Sequence, residues 1–429
     1  MTTPTPPPAR REKKLADATG AELDALLAPS DQQLADQYPG ERPGRQPVQT
    51  LYVPADQFEP DLPMWWGTEA LVTLERCAPQ PDHFAAAMGL GPQLAAAVRD
   101  RVLAKLSTEP VEDLRIDFED GYRPRSARPD SREDDDARAA AALLGDAVIA
   151  GTAPPFTGLR CKSLAAATRS RAIDTLDIFL AELLARCQLP AGFVVTLPKV
   201  TCADQVRAMV LLCERLEEAH RLQPGQLRFE IQAETPQLIL GADGAAEVAR
   251  CLHAAAGRLT GLHYGTYDYS AALNIAAHCQ SMDHPCADHA RAVLQVAAAG
   301  TGVRLSDGST NVLPIGSRED VLAAWQLHAR LVRRSLQRGF YQGWDLHPAQ
   351  LASRYAATYG FFRAELPAAA ARLRSYAERT GTGVLEDPAT ARALAGYLAR
   401  GLDCGAIAQQ EIVELAGLDR ARLDALRVL

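Results

Sequence analysis

The sequence predicts a (β/α)8 barrel with an N-terminal helical segment and a C-terminal helical extension. Three observations lead there. Eight short runs with strand character follow Val48, and stretches of helical period rich in Ala, Leu and Arg separate most of them. No G-x-G-x-x-G turn follows an early run, as a doubly wound dinucleotide fold would require. The chain has 429 residues, room for one large domain with appendages.

Residues 1–12 are rich in Pro and Thr and are expected to be disordered. Leu and Ala recur at helical spacing over 13–38, and the basic, turn-rich link "PGERPGRQP" follows. The expected strands are "QTLYVPA" (49–55), "EDLRIDFED" (112–120), "TGLRCKS" (157–163) and "GFVVTLPKV" (192–200). They continue with "LRFEIQAE" (227–234), "TGLHYGTYD" (260–268), "STNVLPIG" (309–316) and "GFYQGWDLHP" (339–348). Helices are expected in "LDIFLAELLARC", "ADQVRAMVLLCERLEEAH", "GAAEVARCLHAAAG", "HARAVLQVAAAG" and "REDVLAAWQLHARLVRRSLQR". The division implied is a tail and helical segment over 1–45, a barrel over 46–360 and a helical extension over 361–429. That extension is expected over the barrel mouth or against a neighbouring subunit.

Composition narrows the function classes. The chain is 47% hydrophobic and 23% charged, and its net charge of -8 leaves no basic excess for a general nucleic-acid binder. No run of about 18 apolar residues exists, so no membrane span is expected. The N-terminus lacks the apolar core of a secretory signal, and the nine cysteines are scattered without a C-x-x-C pair. Both point to a cytoplasmic protein with reduced thiols. "HCQSMDHPCADH" (278–289) does not have the spacing of a closed zinc site.

Chemistry in such barrels sits at the C-terminal ends of the strands. There the chain collects Asp117, Glu119 and Asp120 on run two and Arg160 and Lys162 on run three. Lys199 ends run four, Glu234 run five, Asp268 run six, and Asp345 and His347 run eight. Taken alone, Glu234 reads first as a helix cap or a salt-bridge partner and only second as a metal ligand. Adjacent strands lie about 4.8 Å apart, so carboxylates on runs five and six could grip one hard cation, which needs only one or two of them.

The order "TLYVPA", "DFEDG", "GLRCKS", "LPKV", "QAETPQ", "GTYDYS", "GWDLHPAQ" resembles the citrate lyase beta subunit / malyl-CoA lyase / class II (metal-dependent) pyruvate aldolase family of the phosphoenolpyruvate/pyruvate barrel superfamily. The resemblance spans roughly residues 48–355. It implies a carbon–carbon lyase acting on a small oxo or hydroxy acid, with Mg²⁺ or Mn²⁺ held by Glu234 and Asp268. It implies a carbonyl-binding role for Arg160 and a supporting acidic cluster of Asp117, Glu119 and Asp120. Asp120, Asp345 and His347 are the candidate bases, and Lys199 is a candidate partner of the nearby acids. A homo-oligomer is also implied. Two alternatives stand beside this reading: a CoA-thioester lyase or malate-synthase-like condensing enzyme, and a barrel that binds a metabolite without turnover. Against CoA, Val48 stands where many CoA-using relatives carry an arginine, with Arg45 three residues earlier. A basic pocket near Arg45 would favour CoA.

Overall fold

In the computed structural model, residues 18–123, 129–378 and 387–427 are described; the tail expected at 1–12 lies outside them. Eight strands form one sheet: β1 (Gln49–Pro54), β2 (Asp113–Asp117), β3 (Phe156–Arg160), β4 (Phe193–Leu197), β5 (Phe229–Ala233), β6 (Leu259–Tyr264), β7 (Arg304–Ser306) and β8 (Gly343–Asp345). All pair in parallel, in the order β7-β6-β5-β4-β3-β2-β1-β8. A single bridge between Ser306 and Gln342 joins the two ends, so the sheet closes into the expected (β/α)8 barrel.

Seven strands fall within or beside their expected runs. The seventh does not: residues 309–316 are irregular, and β7 lies earlier, at Arg304–Ser306. Pro314 has no N–H for a ladder, and Gly308 and Gly316 flank the stretch. Its polar groups bond to side chains instead, with Gln350 Nε2 donating to Thr310 O at 3.2 Å and the Asn311 N–H reaching Tyr267 Oη at 2.6 Å.

Period-two alternation sorts the strand residues. Leu51, Leu114, Ile116, Leu159, Val195, Phe229 and Ile231 are buried in the layer shared with the surrounding helices. The alternate positions meet inside the barrel, and several of them are charged. Arg115 pairs with Asp113 and donates to Glu230 at 2.9 and 3.1 Å. Glu230 also accepts from Thr196 at 2.5 Å and contacts His263 Nε2 at 2.8 Å. Such a set is tolerated because each member is paired; an unpaired charge there would cost several kcal/mol.

The helix Ala18–Gln37 has no buried residue, and the chain then crosses the N-terminal end of the barrel, where the Gly40 N–H donates to Gly300 O at 2.8 Å. Beyond the helix Gln350–Ala364 come Leu366–Glu378, Pro388–Asp403, Gln409–Ala416 and Arg420–Arg427. Tyr359 Oη donates to Cys404 O and Tyr397 Oη to Phe361 O, fastening this extension to the preceding helix. Residues of Pro388–Asp403 and Arg420–Arg427 border the segments that enter β1, β7 and β8. The extension therefore packs at the N-terminal end of the barrel and not over the mouth, the first of its two expected places. Among the described residues no helix is long and apolar enough to cross a membrane.

Candidate active site

At the C-terminal ends of β2 to β6, five acids surround two cations. Asp117 and Arg160 are register partners on neighbouring strands and therefore point the same way. Arg160 donates from Nε and Nη2 to the two Asp117 oxygens, each at 2.6 Å, and from Nη1 to Gln232 Oε1 at 3.0 Å. Asp117 also accepts the N–H groups of Glu119 (3.0 Å) and Gly121 (2.9 Å), so the turn after β2 closes around it. Gln232 passes the connection on, donating to Glu234 Oε2 at 2.5 Å. A guanidinium has five N–H donors, and three are engaged here. One on each terminal nitrogen remains for a ligand.

Glu234 is 1% exposed. Burial pushes its carboxyl up to about 8; Lys199 and Arg160 act against this, while Asp268 and Glu119 add to it. The other oxygen of Glu234 accepts the backbone N–H of Lys199 at 2.9 Å. Lys199 has a φ of +54°, in the left-handed region that a non-glycine residue rarely adopts. That turn places its ammonium 2.8 Å from Asp120, 3.2 Å from Glu119 and 3.6 Å from Asp268. Burial disfavours the ammonium, but Glu234 and these acids outweigh it and raise its pKa. Burial raises the Glu119 carboxyl, whereas Asp120, despite partial burial, is held below the usual range by Lys199.

Asp268 is half exposed and lies in the first turn of the helix Thr266–Ala272, beyond the end of β6 where the sequence reading put it. The structure thus brings Asp117, Glu119, Asp120, Arg160, Lys199, Glu234 and Asp268 together. Of the two remaining candidates, Asp345 turns away from this set. Asp345 is paired with Leu51 in the β1–β8 register and so faces the helices, where Arg354 donates to it at 2.9 Å and His328 lies at 3.2 Å. His347 accepts the Ala349 N–H at 3.2 Å, at the start of the helix Gln350–Ala364. Burial lowers its pKa, and the neighbouring charge that opposes this is Glu69. Lys162, too, is engaged away from the site, with Glu133 and Phe118 O, both at 2.7 Å.

Two aromatic residues went unrecognised in the sequence. Tyr52 and Trp344 pack at a tilt with centroids 4.5 Å apart, and their rings lie 4.7 and 5.6 Å from the Arg160 guanidinium. The buried Trp344 Nε1 has no hydrogen-bond partner, an orphan donor beside an arginine. Alternation from Asp345 was the available signal, since it sends Trp344 to the opposite face.

Among the described residues no group of three or more His, Cys, Asp or Glu side chains is arranged to hold a metal ion. The expected pair still suits a hard divalent cation. Mg²⁺ needs one or two carboxylates, and a carboxyl kept neutral by burial, as in Glu234, is one that a cation would ionise. Arg45 does not supply a basic pocket for a CoA phosphate: Glu109 and Glu112 both pair with it, the latter at 2.6 Å.

Fold and site together describe a parallel barrel whose mouth pairs a braced arginine with a buried carboxyl group. The chain belongs to the family described as Domain of unknown function (DUF6986), which matches residues 27–429. No curated protein matches it. Among solved structures it is similar to Haloferax volcanii malate synthase, with 16% identity, 74% of this chain and 76% of that chain covered, and a TM-score of 0.48. It is also similar to protein CitE from Mycobacterium tuberculosis in complex with magnesium and acetoacetate, at 21% identity, 73% and 91% coverage and a TM-score of 0.40. The citrate lyase beta subunit complexed with oxaloacetate and magnesium from the same organism gives 19%, 73%, 96% and 0.39. These are likenesses of low identity, and the chemistry of the site rests on its own residues.

Proposed function

We propose that the protein is a divalent-metal-dependent carbon–carbon lyase of the aldolase/citrate lyase type, making or breaking a bond beside the carbonyl of a small oxo or hydroxy acid. The observation that carries this reading is the continuous bonding from Asp117 through Arg160 and Gln232 to Glu234. It sets a fixed positive donor beside Glu234, the carboxyl that this reading takes as a metal ligand, as polarising a carbonyl requires. Glu234 and Asp268 would hold Mg²⁺ or Mn²⁺, which supplies Lewis-acid polarisation when bound.

The protein's own residues have separable tasks. Arg160, held on two sides, directs its two remaining N–H groups at the oxygen where negative charge develops. Because the fork is already oriented, no reorganisation is needed as that charge grows. Trp344 offers its unpartnered N–H to an oxygen-rich ligand. Lys199 offsets the mutual repulsion of Glu119, Asp120 and Asp268. Asp120, kept ionised by Lys199, is the half-exposed acid of this set outside the proposed metal pair, and so the one to accept a substrate proton.

The test is proton NMR of pyruvate in D₂O with the protein, with and without Mg²⁺. The expected result is metal-dependent loss of the methyl signal, absent in Glu234→Ala. A protein that binds Mg²⁺ and leaves the methyl signal intact would overturn the proposal and favour the CoA-thioester branch, in which the oxo acid only accepts the carbon nucleophile.

A further inference from the structure

The N-terminal end of the barrel holds a cavity of about 410 Å³, between the segments entering β1, β7 and β8 and the C-terminal helices. Arg42, Arg304, Arg400 and Arg427 line it against two acids, Glu41 and Asp403. Both acids are already engaged. Glu41 faces Arg400 at 2.7 Å and Arg427 at 3.4 Å, while Asp403 pairs with Arg420 at 2.6 Å.

Among the described residues, Arg42 and Arg304 make hydrogen bonds only to carbonyls. Arg42 donates to Gly257 O at 3.1 Å, and Arg304 to Arg45 O at 2.6 Å and Gly44 O at 3.1 Å. Among the described residues no carboxylate is within ion-pair distance of either. Burial lowers the pKa of Arg304, and Arg42, Arg427 and Arg400 lower it further, with Asp403 opposing; burial and Arg228 lower that of Arg42. Partly buried guanidinium groups that repel one another are relieved by a bound anion. One wall is aromatic: Tyr341, with Arg400 over its ring at 4.4 Å, and Phe362.

We propose that this cavity binds a small organic polyanion, carrying phosphoryl or carboxylate groups and no larger than a mononucleotide. The two forks of Arg42 and Arg304 suit the oxygens of such groups, and the volume lies within the usual range for small-molecule sites. The site is separate from the barrel mouth. Between them the lumen is filled by Asp113, Arg115, Glu230 and His263, so no ligand arm passes from one end to the other. The inference does not depend on the proposed reaction.

Calorimetric titration of the metal-free full-length protein with pyrophosphate and with citrate, at constant ionic strength, tests it. At least one should bind with one-to-one stoichiometry, and Arg42→Gln should weaken it by about tenfold or more. Arg42 has a single hydrogen bond to lose, so its variant keeps the fold; Arg304→Lys, which retains charge without the fork, is the second variant. Preference for pyrophosphate would identify a phosphoryl ligand, and preference for citrate a carboxylate ligand. Failure of both anions to bind, or equal affinity in wild type and Arg42→Gln, would overturn the proposal.

Discussion

Arg160 depends on geometry as much as on charge. Lysine could still pair with Asp117, but it could not also reach Gln232 and offer two aligned donors to a ligand. Arg160→Lys is therefore expected to fold normally and to slow pyruvate methyl exchange by about 10²–10³-fold. Glu234 predicts a pH dependence. With its carboxyl pushed up to about 8, it is mostly protonated at neutral pH and must release a proton when a cation binds. Mg²⁺ affinity should rise with pH up to about 8 and then level off. Calorimetry in buffers of different ionisation enthalpy should detect the released proton, and Glu234→Gln should lose both the binding and its slope. A flat profile in the wild type would remove Glu234 from the ligand set.

At the scale of elements, the site depends on how closely the loops after neighbouring strands approach. Gly265 follows β6 with an ordinary φ of -95°, so no backbone constraint demands glycine there. Space does: a Cβ would lie 2.6 Å from Glu234 Cβ and 2.8 Å from Glu234 Oε2. Gly265→Ala should keep the barrel intact by circular dichroism while weakening Mg²⁺ binding by about tenfold, because Glu234 must move. Asp345 acts on stability instead. Despite burial, Arg354 and His328 hold its carboxyl down to about 2, below the 3.8 of an unperturbed aspartate. That stabilisation is fully present above about pH 4 and is lost as pH falls through 2. It amounts to about 2 kcal/mol. Asp345→Asn should lower the urea midpoint at pH 7 and flatten the acid limb of the stability curve, leaving methyl exchange near its wild-type rate.

Over the whole molecule, the two ends of the barrel divide the work. Acids gather at the C-terminal ends of the strands and arginines at the N-terminal end, with a paired, charged lumen between them. Much of the mouth was legible in the sequence, because alternation is local. Asp113, Arg115 and Asp117, like Glu230, Gln232 and Glu234, occupy every second position, so any strand through them must turn all three to one face. The order of eight strand–helix units was legible for the same reason, since periodicity and turn residues act over a few positions. What needed tertiary structure was each choice between equal local options. Trp344 and Asp345 always face opposite ways, but only pairing with Thr50 and Leu51 decides which one enters the barrel. β7 is three residues long, too short to show a period, and its place is set by β6 and the bridge to Gln342. The arginine-lined cavity joins residues 42, 304, 400 and 427, which no local pattern connects. By itself the sequence determined which residues share a face and which end of a strand they occupy. Only the closed barrel decided which faces meet, because register and long-range packing are properties of neighbours rather than of the chain's local order.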